Sequence, residues 1–200
     1  MTKRQIKELG FKVVELNEAY QKVLFWFFSF PQREFSLSEL SQDVGIAKTT
    51  ASTIVTKLEE EGFLIKEMLG KVWRIKCNQQ HPYNITKKIP YNLGNIYNSD
   101  IIEQIIKYLR DDLKQSPRAI ALFGSYRKGD DNEMSDIDIA VEILGNEDIQ
   151  IKEFRIFPRL GYRKNVKVNL HIFSRNKIDL NLFSNIANGI VLYGFLEVRP

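Results

Sequence analysis

Apolar and polar positions along the chain change rhythm several times, and each change marks an element. An aromatic-rich run over about residues 16–30 reads as a helix. Ser36-Leu37-Ser38-Glu39 has the form of a capping box, with Phe35 and Leu40 at staple positions. A short helix is therefore expected from Leu37 to near Val44, closed by the left-handed conformation that Gly45 permits. After the turn Gly45-Ile46-Ala47, the residues Ala51, Ile54, Val55 and Leu58 recur at helical spacing. They predict a second helix to about Glu61, closed by Gly62. Its other face offers Lys48, Thr49, Thr50, Ser52, Thr53 and Lys57, short polar and basic groups able to approach base edges and phosphates in a major groove. Two strands follow, Phe63–Met68 and Lys71–Lys76, joined at Leu69-Gly70 as a hairpin bearing Lys71 and Arg74.

Residues 77–99 lose this periodicity and are rich in Asn, with Pro82, Pro90 and Gly94. They read as a linker between residues 1–76 and 100–200, and His81 within it as a surface histidine. Asp100–Gln115 is then an amphipathic helix with Ile101, Ile105 and Leu109 in its stripe. Ala119–Phe123 is a buried strand that runs straight into Gly124-Ser125. Asp136–Val141 alternates as a strand. Beyond it, Asp148–Leu160 reads as a helix, Val166–Phe173 as a strand, Ile178–Ala187 as a helix and Ile190–Tyr193 as a last strand.

Charge and composition narrow the possibilities. The net +4 resides entirely in residues 1–90, which hold 14 Lys+Arg against 10 Asp+Glu. A basic excess in one half suits a polyanionic partner. One cysteine, Cys77, rules out an internal disulfide, and two histidines rule out a histidine-rich metal site. The charged opening segment has no signal-peptide pattern, and Val23–Phe28 is far shorter than the roughly 20 apolar residues of a membrane span. A cytoplasmic protein without a membrane partner is expected.

The chemistry concentrates in the second half. A glycine after a strand allows close backbone approach, and a strand-to-helix turn presents amides that attract phosphate. Ten residues separate Ser125 from Asp136-Ile137-Asp138, whose strand geometry puts two carboxylates on one face. Paired carboxylates repel unless a cation shares them, and hard oxygen ligands suit Mg²⁺. A phosphate turn facing a pair of magnesium ligands is what phosphoryl or nucleotidyl transfer requires.

Both halves resemble known families. Residues 16–76, with the stretch SLSELSQDVGIAKTTASTIVTKLEEEGFLIKEMLGKVWRIK, resemble the winged helix-turn-helix transcriptional regulators of prokaryotes. That resemblance implies duplex DNA as a partner, read by Lys48–Lys57, and a homodimer on palindromic sites, with residues 1–20 as one dimerising helix. The segment FGSYRKGDDNEMSDIDIAV resembles the signature of minimal nucleotidyltransferases of the DNA polymerase beta superfamily. It implies an α+β chain whose C-terminal half is a small mixed sheet flanked by helices. It also implies a nucleoside triphosphate held by Gly124 and Ser125, Mg²⁺ on Asp136 and Asp138, and support of phosphate charge by Arg127 and Lys128. Active members carry a third carboxylate on a later strand; here Asn169 takes that place, and an amide cannot accept a proton at neutral pH. His171 as a substitute base, Lys167 as a neutralising charge and Glu142 as another third acid are the alternatives. The expectation is a DNA-binding regulator with a nucleotide- and Mg²⁺-binding domain impaired in transfer. The alternative is a working transferase that moves a nucleotide onto protein or RNA, including within a toxin–antitoxin pair.

Overall fold

The computed structural model describes residues 18–198. The first half holds three helices, α1 (Glu18–Ser29), α2 (Leu37–Val44) and α3 (Lys48–Glu60), followed by the antiparallel hairpin β1 (Leu64–Leu69) and β2 (Val72–Cys77). The capping box forms as the sequence predicts: Ser36 accepts from the Glu39 amide and Glu39 from the Ser36 amide. Gly45 closes α2 at φ +73°. Val23, Phe27 and Phe28 of α1 bury against Leu40, Val55, Leu58 and Ile75, one apolar core for the whole unit. Leu69 pairs with Val72, so the hairpin turns at Gly70-Lys71, one residue later than expected, and Lys71 sits exposed at the tip.

The expected linker contains a helix, α4 (Pro82–Tyr97), with Pro90 inside it. The stretch lacks a simple amphipathic stripe because α4 serves two cores. Tyr91 stacks on Phe25 at 4.6 Å in the first unit. Ile96, a few residues on, is fully buried with Ile101, Ile105 and Leu109 of α5 (Ile101–Asp111) in the second.

The second half is a five-stranded sheet in the order β5-β6-β4-β3-β7. Its strands are β3 (Pro117–Phe123), β4 (Ile137–Ile143), β5 (Gln150–Leu160), β6 (Arg163–Ser174) and β7 (Ile190–Gly194). Only the β4–β6 pair is parallel; the rest are antiparallel. Alternation gives each strand two faces. Ile137, Ile139, Val141, Val168 and Leu170 pack under α4 and α5. On the opposite face Ala121, Ala140 and Phe173 meet Ile186 of α7 (Leu180–Ala187).

Residues 150–160 form strand β5 where a helix was expected. Phe154, Phe157 and Leu160 are spaced like a helical stripe, but a bulge between Glu153 and Arg155 accounts for the break in alternation. Pro158 is tolerated because β5 is an edge strand. The expected dimerising segment, residues 1–20, lies almost wholly outside the described residues. Among the described residues no helix is long and apolar enough to cross a membrane.

Candidate active site

Strand β3 delivers the chain into a short helix, α6 (Gly124–Lys128), whose first residue has φ +73°. A Cβ built on Gly124 would stand 2.8 Å from Asp138 Oδ2. The turn therefore lies directly against a carboxylate, and only glycine combines this dihedral with this contact. Arg127 and Lys128 end the same helix; Arg127 Nε is buried with no hydrogen-bond partner among the described residues, and Lys128 is exposed.

The carboxylates meet at one point. Asn169 Nδ2 lies 3.1 Å from Asp136 Oδ2 and 3.5 Å from Asp138 Oδ1. The parallel register places Asn169 directly opposite Asp138. His171 Nε2 is 3.3 Å from Asp138 Oδ1, and its ring meets Phe123 edge-on at 4.8 Å. The hydrogen bond from His171, helped by Asn169, holds the Asp138 carboxyl below the usual carboxylate range against the opposing effect of burial. Lys167 Nζ lies 3.7 Å from Asp136 Oδ2 and 3.2 Å from Glu153 Oε2.

Two carboxylates converging on one side-chain nitrogen are disposed as they would be around one cation. With phosphate oxygens and water completing the shell, that donor set fits Mg²⁺. Asp136 and Asp138 are the residues that would hold it. No group of three or more His, Cys, Asp or Glu side chains suited to a metal occurs among the described residues.

Glu142 does not serve as a third acid. It shares a strand face with Asp138 but lies two alternations further on, roughly 13 Å along the strand. There it is buried and ion-paired with Arg175 at 2.9 Å. The structure also brings in residues that the sequence reading left out. The segment 129–135, leading into Asp136, is pinned from behind by α4. Lys88 Nζ lies 3.1 Å from Asp131 Oδ1, and Asn92 Nδ2 donates to the same oxygen at 2.7 Å. Arg163 sits 3.7 Å from Asp131 Oδ2 and donates to the Ser135 carbonyl. No local pattern marks this cluster, since its members come from three distant segments. Glu153 lies on β5, whose apolar spacing predicts a helix; Pro158 is the contrary signal in the sequence.

In the N-terminal unit, Thr49, Thr53 and Lys57 are exposed on α3, while Thr50 and Ser52 are half-buried. Lys48 Nζ donates to Ser38 Oγ at 2.9 Å, and a groove lined by Ser38, Lys48, Lys71 and Trp73 separates the start of α3 from the hairpin tip. Lys57 turns back over the Tyr20 ring at 5.1 Å. The hydrogen bonds with Ser36 hold the Glu39 carboxyl below the usual carboxylate range, and the nearby Arg74 adds to this.

A strand–turn–helix set against an Asp-x-Asp strand, on a small mixed sheet, defines a nucleotidyltransferase-type site. The polymerase beta nucleotidyltransferase family model matches residues 103–195, and the chain belongs to that family. It is also 38% identical over 71 residues to a Methanocaldococcus jannaschii protein named as a candidate protein adenylyltransferase, covering 34% of this chain and 81% of that one.

Proposed function

We propose that this protein transfers a nucleoside monophosphate, AMP in the first instance, from a nucleoside triphosphate to a protein hydroxyl. The observation that carries this reading is the contact of Gly124 with Asp138 while Asp136 and Asp138 converge at Asn169. It joins a phosphate turn and a cation site in one place. The relative's name favours an active transferase over the impaired regulator expected from Asn169. The turn at Gly124-Ser125 holds the triphosphate, with Arg127 and Lys128 available to its charge. Asp136 and Asp138 would hold Mg²⁺, which would supply neutralisation of phosphate charge and polarisation of the phosphoryl group. The acceptor is a partner protein, of which a cognate toxin is one example.

The test is label transfer from α-labelled ATP, GTP, CTP and UTP with Mg²⁺ in a cell extract. A protein band labelled from ATP, absent with the Asp136→Ala/Asp138→Ala variant, is the expected result. Label that disappears on ribonuclease treatment would move the acceptor from protein to RNA. No label from any nucleotide would overturn the reading.

A second function is supported by a separate observation, the groove of Ser38, Lys48 and Lys71 beside the exposed Thr49–Thr53 face. We read residues 18–77 as a winged helix that binds duplex DNA and brings the transferase to a locus. The full chain is then expected to shift duplex DNA with affinity that falls as salt rises, because phosphate contacts release counterions. Lys48→Glu with Lys71→Glu should remove most of that affinity. Gel shifts that show no binding at low salt would end this second reading.

A further inference from the structure

The site holds a carboxylate that neither the Gly-Ser turn nor the Asp-x-Asp motif includes. Strand pairing sets Phe123 against Asp138, Asp138 against Asn169, and Asn169 against Glu153. Directly paired residues project from the same face of a sheet. The four side chains thus form one row across β3, β4, β6 and β5. The row begins beside the Gly124 turn, passes through Asp138 and Asn169, and ends at Glu153. Adjacent strands lie about 4.8 Å apart, so the Glu153 backbone is roughly two spacings from Asp138. Lys167 then links the end of the row to the other aspartate: its ammonium lies 3.2 Å from Glu153 and 3.7 Å from Asp136.

We infer that Glu153 is the general base of this site, a catalytic residue that accepts the proton of the attacking acceptor hydroxyl. The inference rests on the transferase reading above. Phosphoryl transfer aligns the attacking and leaving oxygens on opposite sides of phosphorus. With the triphosphate tail at Gly124-Ser125, pyrophosphate leaves toward β3, and the acceptor attacks from the β5 side, where Glu153 stands. The acceptor's O–H proton passes to a Glu153 carboxylate oxygen. The acceptor oxygen bonds to the α-phosphorus, and the bond from that phosphorus to the bridging oxygen breaks, releasing pyrophosphate.

Its setting fits the role. The Glu153 side chain is 51% exposed on an edge strand, open to a macromolecular acceptor. The bulge between Glu153 and Arg155 is a device that re-aims side chains beside active sites. The rival bases are committed elsewhere. His171 is bound to Asp138 and packed on Phe123, at the nucleotide end of the row. Asn169 has no basic oxygen, and Glu142 is locked to Arg175.

Full-length Glu153→Gln is compared with the parent for label transfer from α-labelled ATP, and for the rise in melting temperature with ATP and Mg²⁺. The expected result is a loss of transfer of about 100-fold or more, the typical cost of a positioned base, with the ATP-dependent rise retained. Two further readouts separate a base from a tether for Lys167. Added formate should restore part of the transfer by Glu153→Ala. Asn169→Asp should restore part of the transfer by Glu153→Gln, because it supplies a carboxylate one strand away. Undiminished transfer by Glu153→Gln would overturn the assignment. So would a variant that also loses the ATP response, or failure of both rescues. A parent that binds ATP but transfers nothing would overturn the transferase reading and this assignment with it.

Discussion

At the scale of single residues, the site depends on the absence of one carbon atom. Gly124 has φ +73°, and a methyl group there would press on Asp138 Oδ2 at 2.8 Å. Gly124→Ala should lower stability by about 1–2 kcal/mol from the left-handed dihedral alone. It should also abolish the rise in melting temperature that ATP with Mg²⁺ gives the parent, since a ligand stabilises only the state it binds. Thermal scans with and without ATP check both parts. An unchanged ATP response would move the triphosphate away from this turn. The glycine and both aspartates were legible from local pattern and strand parity, and the Asn169 position from the family resemblance. Their convergence was not, because Asp138 and Asn169 are brought opposite each other only by β4–β6 pairing.

At the scale of elements, α4 and β5 depart most from expectation, and both matter to the site. Lys88 of α4 is 4% exposed and Asp131 3% exposed, so their pairing replaces water that neither can reach. Removing one partner of a buried pair costs about 3–5 kcal/mol, because the other charge is left uncompensated. Lys88→Met should lose stability of that order in urea unfolding. It should also slow transfer, because the segment it holds leads into Asp136. Adding Asp131→Leu should recover part of the stability by removing the stranded charge. A Lys88→Met variant as stable as the parent would show that Arg163 alone compensates Asp131. Pro158 was the one local sign against a helix at β5, and α4 carried no such sign. The α4 pattern is divided between two cores, and the apolar spacing of β5 reflects its bulge and its edge position.

For the whole molecule, the two halves touch through more than a tether. Ser29 Oγ and Tyr91 Oη lie 2.6 Å apart, Arg33 meets Glu133 at 3.0 Å, and Trp26 packs edge-on against Tyr162 at 5.4 Å. With α4 contributing to both apolar cores, calorimetry is expected to show one cooperative unfolding transition. Tyr91→Ala, which removes the stack on Phe25, should split it in two or leave a shoulder at lower temperature. Two separate transitions in the parent would mean that these contacts do not couple the halves. The Arg33 contact also ties the N-terminal unit to Glu133, within the segment that leads into Asp136.

The sequence by itself determined the elements whose signals are local: the capping box at Ser36, the buried stripe of α3, the apolar runs of β3 and β4, and the glycine and aspartates set along them. Such signals arise from hydrogen bonds and burial within a few residues, so they survive in a linear reading. The tertiary structure decided what depends on pairing between distant segments. Register set Asn169 and Glu153 in one row with Asp138, and burial joined Lys88, Asp131 and Arg163 behind the site. Cross-strand neighbours and buried charge partners leave no period in the sequence, because their spacing along the chain is set by the intervening fold and not by the geometry of any one element.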